Sequence, residues 1–229
     1  MSVWAVLAAA GRGERLGSDR PKAFARLGGR PLLAESLERL EESGWIDAIV
    51  IAAPPDWEEP SILVAEEIAA TKVHSAITGG ETRSESVRLA LEEVPEDAAV
   101  VLVHDVARPL VPEDVIERVL APLGEGWEAA VPVLPLADTI KRVEGDRVVE
   151  TLARGEHVAV QTPQAFLADV LRQALSGDVS SATDCASLVE ARGGRVKAVP
   201  GDPRLLKVTD EDDLALVESW LETAEPSAE

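Results

Sequence analysis

The chain alternates short, almost wholly apolar segments with longer amphipathic ones. Strand-length apolar runs lie at residues 3–8, 46–53, 99–103 and 129–134, and helical periodicity appears at residues 32–43, 61–70 and 84–93. Runs this uniformly apolar are typical of central parallel strands covered on both faces. The order βαβαβα therefore predicts an α/β fold, a doubly wound three-layer sandwich with a mostly parallel central sheet. Ligands of such folds bind at the carboxyl ends of the strands.

After residue 134 the pattern changes to short-period alternation. Residues 137–155 contain two alternating stretches joined by Glu144-Gly145-Asp146, which is typical of a β-hairpin. A hairpin lacks a core of its own, so apolar side chains on it would be exposed: Ile140, Val143, Val148, Val149 and Leu152. We predict that this hairpin is an arm that packs on a second copy of the chain to form a homodimer. The alternative is a hairpin folded back on its own domain.

The rest of the chain fits one domain. A length of 229 residues is within the range of a single α/β domain, which we place at residues 1–229 with the arm inserted. Helices are predicted at residues 167–175 and 182–192, short strands at 196–199 and 205–208, and a last helix at 210–223.

Composition excludes several classes of protein. The chain has 22 Lys and Arg against 42 Asp and Glu, a net charge of −20, so nucleic-acid binding through a general basic surface is not expected. An anionic substrate then requires a local convergence of cations. Apolar runs fall short of the roughly 18 residues of a membrane span. The single cysteine, Cys185, excludes an internal disulfide and fits a reducing, cytoplasmic location; we predict a small buried side chain.

The first apolar run leads directly into a glycine-containing loop. Its sequence is Ala9-Ala10-Gly11-Arg12-Gly13-Glu14-Arg15-Leu16, and Pro21-Lys22 follows before any long helix can begin. Gly11 and Gly13 allow positive φ and close approach of backbone N–H groups to a ligand. Because Arg15 and Lys22 bring two cations to the same place, we predict a phosphate-binding loop. The alternative is a tight turn without a ligand.

A dinucleotide fingerprint does not fit this loop. The third glycine of that motif is replaced by Leu16, and the second apolar run ends in Ala52-Ala53-Pro54-Pro55 rather than in the acid that binds a ribose. A Gly-x-x-x-x-Gly-Lys-[Ser/Thr] sequence is also absent. A nucleoside triphosphate bound by a different, non-hydrolytic loop is the better interpretation.

A second candidate site lies at the end of the third apolar run. There the sequence His104-Asp105-Val106-Ala107-Arg108 places a carboxylate beside a guanidinium. Magnesium typically takes one or two protein carboxylates with phosphate oxygens and water, so Asp105 can serve as its ligand. The alternative for Asp105 alone is a turn or a helix cap. His104 is predicted to support the turn, with a ligand or acid role as the alternative.

The third candidate site is the segment from Thr78 to Val87. Gly79 and Gly80 end a strand, and Thr82 or Ser84 can cap the following helix. In the functional interpretation, Ser86 and free N–H groups recognise a base or ribose. Glu81 would accept a hydrogen bond from an exocyclic amine.

Together these motifs resemble the 2-C-methyl-D-erythritol 4-phosphate cytidylyltransferases of the non-mevalonate isoprenoid route, over almost the whole chain. The resemblance depends on the loop with Arg15 and Pro21-Lys22, His104-Asp105-x-Ala107-Arg108-Pro109, Asp138-Thr139 with Lys141, Gln161-Thr162-Pro163-Gln164, Thr183-Asp184 and Leu206-Lys207-Val208-Thr209. It implies a Rossmann-like fold of the nucleotide-diphospho-sugar transferase type. It also implies cytidylyl transfer from CTP to a polyol phosphate, with Mg²⁺ and a homodimer.

The resemblance also implies roles for individual residues. Catalysis would use Arg15, Lys22 and Lys207 around the phosphates, and Asp105 would position Mg²⁺. Cytidine and its phosphates would be bound by Ala9, Ala10, Gly11, Gly13, Gly80, Glu81 and Ser86. The polyol phosphate would be bound by Arg108, Thr139, Arg154, Thr162 and Thr183, with Thr139 and Arg154 supplied by the partner's arm. The loop at residues 16–20 is expected to close over CTP.

Four positions depart from the family pattern, and other functions are still possible alternatives. Glu81 stands where Asp is common, Val106 where Ala is usual, Cys185 where Glu is usual, and Leu205 where Asn is frequent. Rival enzymes are a cytidylyltransferase for another polyol phosphate, such as ribitol 5-phosphate, and a sugar 1-phosphate nucleotidyltransferase. A different class is a nucleotide-binding regulatory module without activity.

Overall fold

The structure is a computed structural model that describes residues 2–16, 20–180 and 182–224. The strands are β1 Val3–Ala8, β2 Arg26–Leu27, β3 Arg30–Pro31, β4 Ala48–Ala53, β5 Val73–Thr78, β6 Val100–Asp105, β7 Ala129–Pro135, β8 Lys141–Glu144, β9 Arg147–Thr151, β10 Val158–Val160, β11 Gln164–Leu167 and β12 Val196–Pro200. The helices are α1 Leu32–Glu42, α2 Glu58–Glu67, α3 Arg83–Ala90, α4 Glu113–Gly124, α5 Ala168–Leu175, α6 Cys185–Ala191 and α7 Glu211–Ala224.

The predicted parallel sheet is present. β1 pairs in parallel with β4 on one side and with β6 on the other, and β4 pairs in parallel with β5. Ala8, Ala53, Thr78 and Asp105 are the last residues of these four strands. Because the strands run the same way, their last residues meet at one edge of the sheet, which is the edge that positions the candidate site.

Beyond β6 the sheet is mixed. β10 and β11 both run antiparallel to β7, with Val160 opposite Val133 and Ala165 opposite Ala130, and β11 also pairs antiparallel with β6. These two strands thus form one strand interrupted at residues 161–163, which contain a cis peptide bond before Pro163. β12 pairs in parallel with β7. The interruption brings Thr162 against the end of β6.

Helices cover both faces of the sheet, so the three-layer α/β sandwich is confirmed. One apolar core, which includes Leu7 and Ile51, contains residues of α1, α2 and α4. The core on the opposite face, which includes Val6 and Phe166, contains residues of α3, α5 and α6. Alternate residues of each strand enter opposite cores, which accounts for the uniformly apolar runs in the sequence.

A third apolar cluster lies beside the sandwich. It joins α7, through Val217, to Leu27 of the small β2–β3 ribbon and to Leu16 at the end of the glycine-containing loop. Val208 belongs to the same cluster and donates its N–H to the carbonyl of Ala107 at 2.8 Å. This packing holds the segment that carries Lys207 against the end of β6.

Several element boundaries differ from the sequence predictions. The strand predicted at residues 205–208 is wrong: Pro203–Leu205 form a 3₁₀ turn that begins at Asp202, whose carboxylate caps the N–H of Arg204. Helix α4 and strands β10 and β11 were not predicted. Helix α4 contains Pro122, which weakens its helical signal, and β10 and β11 are too short to be recognised by alternation. Within the described ranges, no helix combines the length and apolar character needed to cross a bilayer.

The predicted hairpin is confirmed as β8 and β9, paired antiparallel around Gly145 at φ 60°. Val143 and Val148 on the hairpin are exposed, as are Val158 and Val160 on β10, whereas Ile140, Val149 and Leu152 are partly covered. These exposed valines belong to neither apolar core of the sandwich. Packing against a second chain remains a prediction.

Candidate active site

A cleft of about 1060 Å³ opens at the carboxyl ends of the parallel strands. Its walls come from segments far apart in sequence. The lining residues are Ala8, Ala10, Gly11, Arg12, Gly13, Arg15, Arg20, Pro21, Lys22, Pro54, Pro55, Trp57, Gly79, Gly80, Glu81, Thr82, Arg83, Ser86, Asp105, Val106, Ala107, Lys207 and Thr209. The four charged residues on which the sequence prediction depended, Arg15, Lys22, Asp105 and Lys207, thus line one cavity.

The glycine-containing loop forms one wall of the cleft. Gly13 has φ 72°, as predicted, and a Cβ there would stand 2.9 Å from Cβ of Lys22, so a larger residue would displace that lysine. The prediction of positive φ for Gly11 is wrong, because Gly11 lies outside the left-handed region and faces open space. Its carbonyl accepts the N–H of Lys22 at 3.2 Å, which ties the lysine to the loop.

Asp105 lies between two cations. Its Oδ1 accepts a hydrogen bond from Nε of Arg83 at 2.6 Å, and its Oδ2 accepts one from Nζ of Lys207 at 2.7 Å. The carboxylate is 9% exposed. Although burial alone would raise its pKa, the two neighbouring cations, Arg83 foremost, hold the pKa of Asp105 well below its usual range. Asp105 is therefore ionised throughout the physiological range.

A buried hydrogen-bond chain fixes the backbone beneath that carboxylate. Oγ1 of Thr162 accepts the N–H of Asp105 at 3.0 Å and lies 3.1 Å from Nδ1 of His104. Nε2 of His104 faces the carbonyl of Arg108 at 3.0 Å. Since a carbonyl can only accept, Nε2 carries the proton and Nδ1 accepts from Thr162. Burial lowers the pKa of His104 to about 4, so the ring is neutral and supports the turn, as predicted.

The pKa of Lys22 is unusually low for a lysine. Burial, together with the like charges of Lys207 and Arg15, lowers the pKa of Lys22 from 10.5 to about 8, while Asp105 and Asp213 oppose the shift. Three cations this close together repel one another, although Lys207 is paired with Asp105. Such a cluster is suited to bind an anion that neutralises it.

The opposite lip of the cleft is formed by residues 79–86. Oγ1 of Thr82 accepts the N–H of Glu85 at 3.1 Å, so Thr82 is the helix cap, one of the two residues predicted for that role. Oγ of Ser86 accepts the N–H of Gly80 at 3.0 Å and donates to the carbonyl of Thr82 at 2.9 Å. Ser86 thus shapes the loop from within. The carboxylate of Glu81 is exposed at the rim and lies 3.6 Å from Nη2 of Arg12, across the mouth of the cleft.

Some predicted site residues do not line this cleft in the single chain. The guanidinium of Arg108 donates to the carbonyl of Leu205, and Thr162 is buried behind Asp105. The N–H of Ala9 is donated to the carbonyl of Ala52 at 2.9 Å, so a contact of Ala9 with a ligand would have to use its carbonyl.

The remaining residues predicted for the polyol phosphate are exposed. Thr139 and Arg154 lie at the base of the hairpin, where Arg154 donates to the carbonyl of Ala137, and Thr183 precedes α6. Their roles remain predictions that depend on a second chain or on bound substrate. The loop predicted to close over CTP falls mainly on residues 17–19, which lie outside the described residues.

Two residues of the cleft were missed by sequence reasoning. Arg83 was only one member of the Thr78 to Val87 segment, yet it forms an ion pair with Asp105 across 22 positions in sequence. Trp57 lines the cleft and packs on Phe24, with ring centroids 4.3 Å apart. Part of the signal for Arg83 was present in the sequence, because a basic residue begins the helix that follows the glycine pair and could reach the same strand ends.

The magnesium prediction can be tested against the donors present. Within the described ranges, no group of three His, Cys, Asp or Glu side chains could hold a metal ion. The single carboxylate of Asp105 fits Mg²⁺ whose other ligands are phosphate oxygens and water. Because Arg83 and Lys207 already contact Asp105, a bare divalent ion would meet two like charges. The donor set therefore fits an ion that is bound together with a nucleotide.

The fold and this cleft define a class of protein, an α/β enzyme that transfers a nucleotidyl group. Comparison with known proteins narrows the class. The family model for 2-C-methyl-D-erythritol 4-phosphate cytidylyltransferase (IspD) matches residues 3–223. The chain belongs to this family.

Individual relatives and solved structures agree with this placement. Enzymes of that name from Saccharopolyspora erythraea and Frankia casuarinae are 48% and 45% identical, over 96% and 98% of this chain and 100% and 83% of theirs. The crystal structure of 2-C-methyl-D-erythritol 4-phosphate cytidylyltransferase from Thermus thermophilus is similar with a TM-score of 0.79 and 35% identity. That match covers 97% of this chain and all of the Thermus chain.

Proposed function

We propose that the chain transfers the cytidylyl group of CTP to 2-C-methyl-D-erythritol 4-phosphate. The products are 4-diphosphocytidyl-2-C-methyl-D-erythritol and pyrophosphate. Family membership supports the activity, and one observation in the structure supports it most directly: Arg15, Lys22 and Lys207 line the same cleft as Asp105. A site that joins two phosphorylated molecules needs such a convergence of cations.

The reaction is an in-line displacement at the α-phosphorus of CTP. An oxygen of the acceptor phosphate attacks, a new P–O bond forms, and the bond to the β-phosphate oxygen breaks as pyrophosphate leaves. The acceptor phosphate is already ionised near neutral pH, so a general base is not required. The task of the protein is to hold two anions in line and to stabilise the charge that develops on the equatorial oxygens.

The charged side chains divide this task. Arg15 and Lys22, on the glycine-containing loop, face the triphosphate, and Lys207 bridges from Asp105 toward the incoming phosphate. Asp105 would hold Mg²⁺, whose charge supplies further neutralisation of the phosphates when it is bound. Gly80, Glu81 and Ser86 provide the lip against which cytidine is recognised.

We infer that two chains complete the site. Four exposed valines on the hairpin and on β10, Val143, Val148, Val158 and Val160, support burial against a second copy. Thr139 and Arg154 are exposed on the same arm and are not among the residues that line the cleft of their own chain. A homodimer in which each arm reaches the neighbouring cleft would bring them to the polyol phosphate. The arm is an extension of a single domain of residues 1–229, and the buried lone cysteine supports a cytoplasmic location.

The substrate assignment is tested by pyrophosphate release. Purified protein with Mg²⁺ is given each of CTP, ATP, GTP and UTP in combination with 2-C-methyl-D-erythritol 4-phosphate, ribitol 5-phosphate and a sugar 1-phosphate. We expect CTP with the methylerythritol phosphate to give the highest kcat/KM. A higher kcat/KM with ribitol 5-phosphate would contradict the assignment. Release with no combination would instead favour a regulatory nucleotide-binding module.

The shared site predicts complementation between two inactive variants. Lys22→Ala removes a cation of the chain's own cleft, and Arg154→Ala removes one supplied by the arm. Mixed and allowed to exchange subunits, the two should regain up to about a quarter of wild-type activity, because heterodimers contain one intact cleft. Exchange is confirmed by native mass spectrometry with one isotope-labelled variant. Exchange without regained activity would contradict sharing, and each variant incubated alone is the control.

A further inference from the structure

The two cations that hold Asp105 differ in their surroundings. The side chain of Arg83 is 21% exposed and that of Lys207 is 45% exposed. Arg83 extends from the first turn of α3 and is additionally fixed by a contact between Nη1 and Sγ of Cys185, at 3.6 Å. Lys207 lies on an irregular segment that lines the cleft. Lys207 is therefore free to turn toward an entering phosphate, whereas Arg83 is held in place.

One oxygen and the backbone of Asp105 are fixed independently of Lys207. Arg83 occupies Oδ1, and Thr162 holds the backbone N–H of the same residue. If Lys207 turned to a phosphate, Oδ2 would lose its partner and become available to a cation that enters with the nucleotide. Oδ1 would keep its partner, Arg83. The orientation of Oδ2 is then set by Arg83, although Arg83 itself does not have to touch a substrate.

Residue 185 is a cysteine, so it does not compete with Asp105 as an ion-pair partner of Arg83. Among the described residues, Asp105 is the one carboxylate within ion-pair distance of Arg83. The other side-chain contact of Arg83 is the neutral thiol of Cys185. Nη2 of Arg83 is buried without a hydrogen-bond partner. Burying a guanidinium N–H group without an acceptor costs folding free energy. A role of Arg83 in the site explains its burial better than a contribution to stability does.

We propose that Arg83 is a positioning residue for nucleotidyl transfer, which holds Oδ1 of Asp105 so that Oδ2 is presented to the divalent cation of the entering nucleotide. The proposal rests on the proposed function. It predicts that Arg83 couples the divalent cation to nucleotide binding, without being needed for binding the nucleotide alone.

The test is isothermal titration of CTP into the full-length protein, with Mg²⁺ and with EDTA. In wild type, Mg²⁺ should tighten CTP binding. In Arg83→Gln, binding in EDTA should stay within about 3-fold of wild type, while the tightening by Mg²⁺ falls by about 10-fold, the usual effect of removing a residue that orients a metal ligand. Arg83→Lys keeps the charge and should recover part of the tightening. The matched control is Arg88→Lys, an exposed arginine on the same helix, with wild-type behaviour expected.

Kinetics on the same proteins separate a positioning role from a structural one. Arg83→Gln should lower kcat at least about 10-fold at saturating substrates, with little change in KM for the polyol phosphate. Wild-type tightening by Mg²⁺ in Arg83→Gln, or a lower melting temperature with unchanged kcat per folded molecule, would overturn the proposal. If Arg83→Gln does not fold, full tightening by Mg²⁺ in folded Arg83→Lys would overturn it. Wild-type protein that binds no CTP would overturn the proposed function, and with it the role of Arg83.

Discussion

Lys22→Ala is expected to lower kcat by about 100-fold or more, the effect of removing a group that stabilises transition-state charge. Lys22 lines the cleft with Arg15 and Lys207, and we propose that the three cations face the phosphates of the substrates. The loss should appear mainly in kcat rather than in KM, because the charge matters most when the equatorial oxygens gain negative charge. Steady-state pyrophosphate release measures both constants. Lys197→Ala, which removes a lysine on β12 away from the cleft, is the control.

Removing the charge of Lys22 should also make the folded protein more stable. Folding lowers the pKa of Lys22 from 10.5 to about 8, so the unfolded chain binds this proton more tightly than the folded one. The protonated lysine therefore costs stability below pH 8, and the cost fades as pH rises from about 8 to 10.5. After allowance for partial exposure, it is about 1 kcal/mol rather than the ~3 kcal/mol of the full shift.

Lys22→Met tests this, since it keeps the aliphatic stem that packs near Gly13. Its melting temperature at pH 7 should exceed that of wild type by about 2–4 °C, and the difference should narrow above pH 8. In wild type, KM for CTP should also rise as pH passes about 8, because the neutral lysine attracts the triphosphate less. A Lys22→Met protein that is less stable than wild type, or a Lys22→Ala protein with full activity, would contradict this account of the cluster.

Asp105→Asn should abolish activity and also destabilise the fold. A carboxamide has one acceptor oxygen, so either Arg83 or Lys207 would face an NH₂ group instead of a carboxylate oxygen. Removing one partner of a buried ion pair costs about 3–5 kcal/mol, because the remaining charge stays buried. Urea denaturation at pH 7 measures this loss. Asp97→Asn, at an exposed acid, should change stability by less than about 0.5 kcal/mol.

The pH dependence has a defined sign. The pKa of Asp105 is lowered on folding, so its contribution to stability is present above the unfolded pKa near 3.8 and is lost as pH falls below that value. The difference between wild type and Asp105→Asn should thus be constant from pH 7 to pH 5 and shrink below pH 4. A destabilisation that is equally large at pH 3 would show that the ion pair is not its cause.

The sequence predicted the central parallel strands well because their residues are buried on both faces. β1 begins and ends at the predicted residues, and the hairpin was identified by its alternation and its glycine turn. In these segments, local pattern and tertiary environment agree. The segment at 205–208 was mistaken for a strand because Leu205 and Val208 are apolar, yet they pack as single side chains in different clusters.

The sequence predicted which charged residues belong to the candidate site, but it did not predict which of them contact one another. The glycine-containing loop and the convergence of parallel strand ends predicted that Arg15, Lys22 and Asp105 belong to one site, and the family resemblance added Lys207. The burial of Thr162 beneath Asp105 depends on how β11 inserts beside β6, and the pairing of Asp105 with Arg83 depends on how α3 packs on the sheet. Such contacts are set by the packing of distant segments and leave no local signal.

The cleft is lined by cations, whereas the chain as a whole is strongly acidic, and this difference affects which anions can enter the site. A chain of net charge −20 repels long polyanions at a distance, whereas a small phosphorylated metabolite that reaches the opening meets Arg15, Lys22 and Lys207 at close range. We therefore expect the acidic exterior to disfavour long polyanions more than small phosphorylated metabolites, and added salt to weaken both the repulsion outside and the attraction within the cleft.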